Sequence, residues 1–505
     1  MIPLDEIHIL QLGERDWNGI YKLQESVILD YADSFIKAPG IFYDMCFLDR
    51  TPLEEEIKPL YQSVKAYTLF VTDKVEISGR VEWLCKSKKV QRIAATDIQK
   101  FLLEESKYYY PKPYGEKLRF NNLAVSPYFS GSVKWVGNYN VTLIGEFGEK
   151  FSQIVFWRNN ILMQKGQVID LWLEYHKSPG VSVSLIVTQF VGGSAADILS
   201  RQEYNEADLE KVIHIESERM NSYLFFSLSA KGSGELQIIA LHDRHSRGKH
   251  GYFLPGGERY VTSEREEVFC YFDPRDMRPP LNVFFGGWEI VENFQGYNLN
   301  RKLGCPFLLL EEHRLMGGSF YAGTKEYEKL VVNVIKKYMK ELGFSSDQVI
   351  LSGLSMGAYA SMYYGCDIKP HALILMKPLA GIGNVAANEK YSRPGGYPTS
   401  LDVLKYLGGE LDKDAVEGLN DKFWNKFDCA DWGKSKFIIT YMIEDDFESG
   451  VYDALISHLH SAGVQVYGKG IHGRHGDSQT ATANWFSRQF KKMLKEDFSE
   501  REESV

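Results

Sequence analysis

From about residue 270 to the end of the chain, short apolar runs alternate with amphipathic helical patterns, and this rhythm limits the fold more than any other feature. "PLNVFFGG" and "PFLLLEEHRL" read as strands. "TKEYEKLVVNVIKKYMKELGF" reads as a helix burying Tyr327, Leu330, Val331, Val334, Tyr338 and Leu342, with Gly343 where a left-handed cap falls. "QVILSG", a helix from Ser355 and "HALILMKP" follow. After an irregular insertion come "KFIITYMIED", "VYDALISHLHSAG", "VQVYGKG" and "TATANWFSRQFKKMLKEDF". Such alternation builds a mostly parallel sheet with helices on both faces.

The chain has 505 residues, enough for about three domains. Residues 1–120 mix strand-like runs ("HILQLG", "KAYTLFVTD", "VQRIAATD") with the helical patterns "GRVEWLCKS" and "DIQKFLLEESKYY", which predicts a small α/β layer domain. "QLGERDW" lacks the glycine spacing of a dinucleotide loop, so no cofactor is assigned to it. Residues 121–265 hold many short alternating runs separated by turn residues, which predicts a β-sandwich-like domain. Residues 266–505 form the third unit, and the tail "SEREESV" is expected to fray.

The aromatics Trp135, Phe156, Trp157, Trp172 and Tyr175 of the middle region fit a sandwich core better than a sugar-binding face. "HDRHSRGKHG", residues 242–251, has three histidines but no regular ligand spacing. It is read as a solvated loop, and no metal is assigned.

A net charge of -9 and a pI near 5.8 argue against a nucleic-acid groove, which needs a basic field. No signal peptide and no apolar run of membrane-spanning length is legible. Six scattered cysteines without a CxxC pair suit structural thiols in a reducing compartment. A cytosolic protein is expected.

"ILSGLSMGAYASMYYG", residues 350–365, carries the chemistry. Gly353-Leu354-Ser355-Met356-Gly357 matches the G-x-S-x-G elbow, with an apolar strand leading in and a small-residue helix leading out. The two glycines suit a tight strand-to-helix turn, and the helix N-terminus favours negative charge beside the serine. A serine nucleophile needs a base, because its hydroxyl is barely ionised near neutral pH. In this chain order an acid follows a late strand, then a histidine precedes the last helix. "YMIEDDFE" offers Glu444, Asp445 and Asp446; Asp445 is preferred and the other two stay open. "GIHGRHGD" offers His472 and His475, of which His475 is nearer the helix. The amide of Met356 and one from the pair Gly286-Gly287 in "NVFFGGWE", with Gly287 preferred, are the expected oxyanion donors.

These residues, together with "IHILQLGERDW" and "HRLMGGSFYAG", resemble the second accessory secretory proteins of the accessory Sec system, which exports serine-rich-repeat adhesins. The resemblance spans the whole chain. It implies a C-terminal α/β-hydrolase domain and a complex with two other accessory secretory proteins, working with the dedicated translocase motor at the membrane. It also implies that the protein is required for adhesin export and O-acetylates N-acetylglucosamine on the adhesin through Ser355, an acid of the 444–446 cluster and His475. No tightly bound cofactor is implied; the acyl donor stays open, acetyl-CoA being one candidate. A carbohydrate esterase or deacetylase and a non-catalytic scaffold are the alternatives.

Overall fold

The computed structural model describes residues 6–499 except 37–42, 113, 119–121, 195, 218, 219 and 462. The tail expected to fray lies outside these residues apart from Ser499. Among the described residues, no helix is long and apolar enough to cross a membrane.

Strands β1 (Ile7–Leu12), β2 (Val27–Ala32), β3 (Met45–Leu48), β4 (Leu69–Val71) and β5 (Gln91–Arg92) form a parallel sheet in the order β2-β1-β3-β4-β5. Every residue of β3 is buried, as a central parallel strand requires. "VQRIAATD" yields only the two-residue β5. "DIQKFLLEESKYY" breaks into an α-helical turn (Ile98–Lys100), a π turn (Phe101–Glu105) and a 3-10 turn (Ser106–Tyr109). The apolar side chains Ile98 and Leu102 still point inward.

The middle of the chain forms one antiparallel ten-stranded sheet beginning at Gly115–Leu118, rather than two separately paired sheets. Continuity comes from the 24-residue strand Ser222–His245. Its first half pairs with Val181–Val191, its second half with Val168–Lys177, and Asn140–Trp157 runs along its other edge. Register shifts cluster at Leu228–Ser233, and Gly232 and Gly234 have φ of 96° and 137°. Bulges with glycine bend a strand around a core that two flat sheets would otherwise enclose. Trp157, Trp172 and Tyr175 are buried as expected, whereas Trp135 and Phe156 are exposed.

The segment 242–251 is not a solvated loop. Residues 242–245 end the long strand, and His242, Asp243 and Arg244 are almost fully buried. His242 Nδ1 lies 2.6 Å from Glu292 Oε1. Arg244 donates from Nε to Glu292 Oε2 (2.6 Å) and from Nη1 and Nη2 to Glu267 (2.9 and 2.7 Å). His242 and Arg244 are thus paired with acids lying 23 to 50 positions along the chain, and Arg247 donates to the carbonyls of Phe253, Tyr108 and Tyr110, partnerships that sequence spacing does not display.

The third sheet has eight strands: β6 (Glu258–Val261), β7 (Glu267–Asp273), β8 (Leu281–Phe285), β9 (Phe307–Glu311), β10 (Val349–Leu354), β11 (Ala372–Met376), β12 (Lys436–Met442) and β13 (Gln465–Ile471). Their order is β6-β7-β9-β8-β10-β11-β12-β13. The first two pairings are antiparallel and all the others parallel. Helices α1 (Lys325–Leu342), α2 (Met356–Ile368), α6 (Val451–Ser461) and α7 (Gln479–Asp497) alternate with the strands, and Gly343 closes α1 with φ 72°. The insertion after β11 folds into helices α3 (Ile382–Tyr391), α4 (Thr399–Gly408) and α5 (Lys413–Asp428), packed on one another. Separate apolar clusters lie on the two faces of the sheet, so the central strands are buried on both sides.

Candidate active site

The loops that matter all leave the carboxyl ends of β8, β10, β11, β12 and β13, the edge where open α/β sheets place their ligands. Ser355 sits between β10 and α2 with φ 55° and ψ -111°. A non-glycine residue held there is strained, and the surroundings hold it firmly. Its amide donates to Met376 O at 2.8 Å, while its carbonyl accepts from Ala358 and Tyr359. A Cβ at Gly353 would lie 2.3 Å from the Gly357 carbonyl carbon, and one at Gly357 only 2.1 Å from Phe285 O. Both glycines are required because α2 crosses directly behind β8 and β10.

His475 Nε2 lies 2.8 Å from Ser355 Oγ, and His475 Nδ1 lies 2.8 Å from Asp445 Oδ2. His475 and Asp445 are buried, while Ser355 is half-buried. Asp445 Oδ1 also accepts from the Phe447 amide at 2.9 Å. Phe447 stacks on the imidazole at 4.2 Å and 11°. The carboxylate and the ring together leave His475 one orientation, with one ring nitrogen toward an acid and the other toward a hydroxyl.

The two other acids have different partners. Glu444 is exposed and sits 2.9 Å from His472 Nδ1, itself exposed. Asp446 accepts the His475 backbone amide at 3.0 Å and so ties down the loop rather than the ring.

Three features were not singled out from the sequence. Buried Lys377, just after β11, donates to His475 O at 2.8 Å and also to Asp477 O. Burial pushes its amine below the ordinary lysine range, with Asp445 and Asp477 opposing. Glu448 accepts from the amides of Ala380 and Gly381 at 2.7 and 2.9 Å, tying the base of the helical insertion to the acid loop. Burial raises its carboxyl despite those two bonds. The third is Gln295. A charged residue ending an apolar strand, as in "ILMKP", was the one available signal for Lys377.

Gln295 corrects the oxyanion expectation. The Gly287 amide donates to Gln295 Oε1 at 3.0 Å, and the Gln295 side-chain amide returns a bond to Gly287 O at 3.1 Å. Gly287 therefore has no amide to offer. The next amide, that of Trp288, has no acceptor among the described residues. Beneath this turn Glu311 is buried and accepts from the Gln295 backbone amide at 2.7 Å; burial raises its carboxyl well above the usual range. Met356 opens α2, so its amide lacks an intrahelical acceptor.

The model of the accessory Sec system GspB-transporter family matches residues 7–500. The chain belongs to that family. An accessory Sec system protein of Streptococcus gordonii is 33% identical over 508 residues, covering 98% of this chain and 99% of the relative. One from Staphylococcus aureus is 32% identical over 514 residues, covering 98% and 97%. Among solved structures, the Glycosylation Associate Protein (Gap123) complex from Streptococcus agalactiae contains a chain with TM-score 0.86 and 32% identity, covering 98% of this chain and 99% of that one. As a member of the accessory Sec transporter family, the chain shares its fold from end to end with that solved relative.

Proposed function

We propose that this chain is a serine acyltransferase of α/β-hydrolase type that O-acetylates N-acetylglucosamine on a serine-rich-repeat adhesin, in complex with the other accessory Sec proteins. The observation that carries the reading is the hydrogen-bonded series Ser355–His475–Asp445 on a strained strand-to-helix turn. Family membership supports the export context, and the complex solved for the agalactiae relative supports the assembly.

In this mechanism Ser355 Oγ attacks the acyl carbonyl of the donor while its proton passes to His475 Nε2. Asp445 holds the tautomer and stabilises the imidazolium. The amides of Met356 and Trp288 receive the negative charge on the carbonyl oxygen. Collapse breaks the bond to the leaving group, which takes the proton from His475, and leaves acetyl-Ser355. A sugar hydroxyl then gives its proton to His475 and attacks the acetyl carbonyl. The Ser355 ester bond breaks, and Oγ recovers a proton from His475.

Mass spectrometry of adhesin glycans from a strain carrying Ser355→Ala tests this reading. Loss of the acetyl groups with the protein still present is expected; acetylation at the wild-type level overturns the proposal. Acetyl transfer to water alone, whatever sugar is supplied, replaces it with an esterase.

A further inference from the structure

We infer that Trp288 forms an acceptor subsite that stacks the pyranose ring of the sugar to be acylated and so favours transfer over hydrolysis. The inference rests on the acyltransferase reading and adds the residue that would select the acceptor. Trp288 follows Gly287 on the loop after β8 and is 42% exposed. Its neighbours Ile290 and Val291 on the same loop are exposed too.

The exposed indole is held in place from behind. Its Nε1 donates to Met316 O at 2.7 Å and lies 3.3 Å from Thr399 Oγ1 at the start of α4. Thr399 also donates to Met316 O, so the loop, the indole and the helical insertion share one acceptor. Gly317 has φ 101°, and a Cβ there would lie 2.3 Å from the indole nitrogen. The Tyr397 ring meets the indole edge-on at 6.2 Å and 87°. Tyr397 stacks on Phe447, and Phe447 stacks on His475. A continuous series of rings thus links Trp288 to the base. On the other side, a Cβ at Gly318 would fall 2.4 Å from the Met356 side chain, the residue after Ser355.

A large ring with its polar atom tied off and its surface open presents an apolar, electron-rich plane to solvent. The C–H face of a pyranose fits such a plane, and its hydroxyls project from the rim, where one can reach the acyl carbon. A sugar seated there takes the place of water at acetyl-Ser355. Its hydroxyl proton then goes to His475 while the Ser355 ester bond breaks, so the product is sugar acetate rather than free acetate.

The test compares the full-length protein with Trp288→Ala and Trp288→Phe, using p-nitrophenyl acetate as donor and an N-acetylglucosamine glycopeptide as acceptor. Sugar acetate and free acetate are quantified together. Trp288→Ala is expected to lower the ratio of transfer to hydrolysis by about tenfold and raise the acceptor KM, while Trp288→Phe keeps most of the ratio. An unchanged ratio in Trp288→Ala, or equal loss of both products, overturns the subsite alone. A wild-type protein that releases only acetate overturns the acyltransferase reading and the subsite with it.

Discussion

His475 Nε2 and Ser355 Oγ stand 2.8 Å apart although 120 residues separate them in sequence, and three helices of the insertion are folded within that span. The contact exists because parallel strands deliver all their following loops to one edge of the sheet. The hydroxyl and the imidazole come from separate strands, β10 and β13, with β11 and β12 between them. The strands fix the separation, and Asp445 with Phe447 fixes the orientation of the ring.

The three neighbouring acids have separable roles. Asp445→Asn is expected to lower kcat for a small acyl ester by roughly 10³–10⁴-fold, because the amide stabilises the wrong imidazole tautomer. Glu444→Gln, at an exposed carboxylate paired with exposed His472, is expected to stay within about twofold. Steady-state kinetics of the two variants checks this, and a reversed ranking contradicts the assignment.

Lys377 holds the loop that carries His475 through its backbone carbonyls. Lys377→Met removes the donor to His475 O and Asp477 O, freeing the loop that carries the imidazole. A fall in kcat of about 10–10²-fold with KM little changed is expected, since small misplacements of a base are costly. A variant with wild-type kcat shows that the loop holds its position without the lysine.

The legibility of this molecule followed the range of its interactions. The strand, the turn glycines and the cap at Gly343 are local, and local patterning shows them. Ser355, the acid cluster and the histidine pair could be ordered along the chain, but the acid facing the ring depends on how β12 ends against β13. Gly287 was misassigned because its amide is taken by Gln295, a side chain eight positions away with no motif to announce it. The same reason hides the burial at the start of the 242–251 segment: His242 and Arg244 are satisfied by Glu267 and Glu292, which are near only after folding.

That buried charge group sets a stability prediction. Arg244 and, less strongly, His242 hold the Glu292 carboxyl well below its usual range against the opposing effect of burial. A depressed carboxyl contributes stability that is present above its unfolded value near 4.5 and is lost as pH falls through the folded value. Glu292→Gln should cost about 3–5 kcal/mol at neutral pH by leaving Arg244 short of a partner, and should flatten the loss of stability on acidification. Urea denaturation at pH 7 and pH 4 measures both effects; equal stability of variant and wild type at pH 7 contradicts the account.

Gly357 tolerates no side chain. Gly357→Ala drives a methyl carbon against Phe285 O and is expected to destabilise the protein by about 1–3 kcal/mol and to abolish ester turnover. Thermal denaturation alongside activity checks it, and an active variant with the wild-type midpoint would show that α2 does not press on β8 as described.

The most direct test of the central claim is intact-protein and peptide mass spectrometry after brief exposure to p-nitrophenyl acetate. One acetyl group on the peptide containing Ser355, absent in Ser355→Ala and formed far more slowly in His475→Ala, is the predicted result. An acetyl group that persists in Ser355→Ala at the wild-type level, or never forms on the Ser355 peptide, contradicts the account.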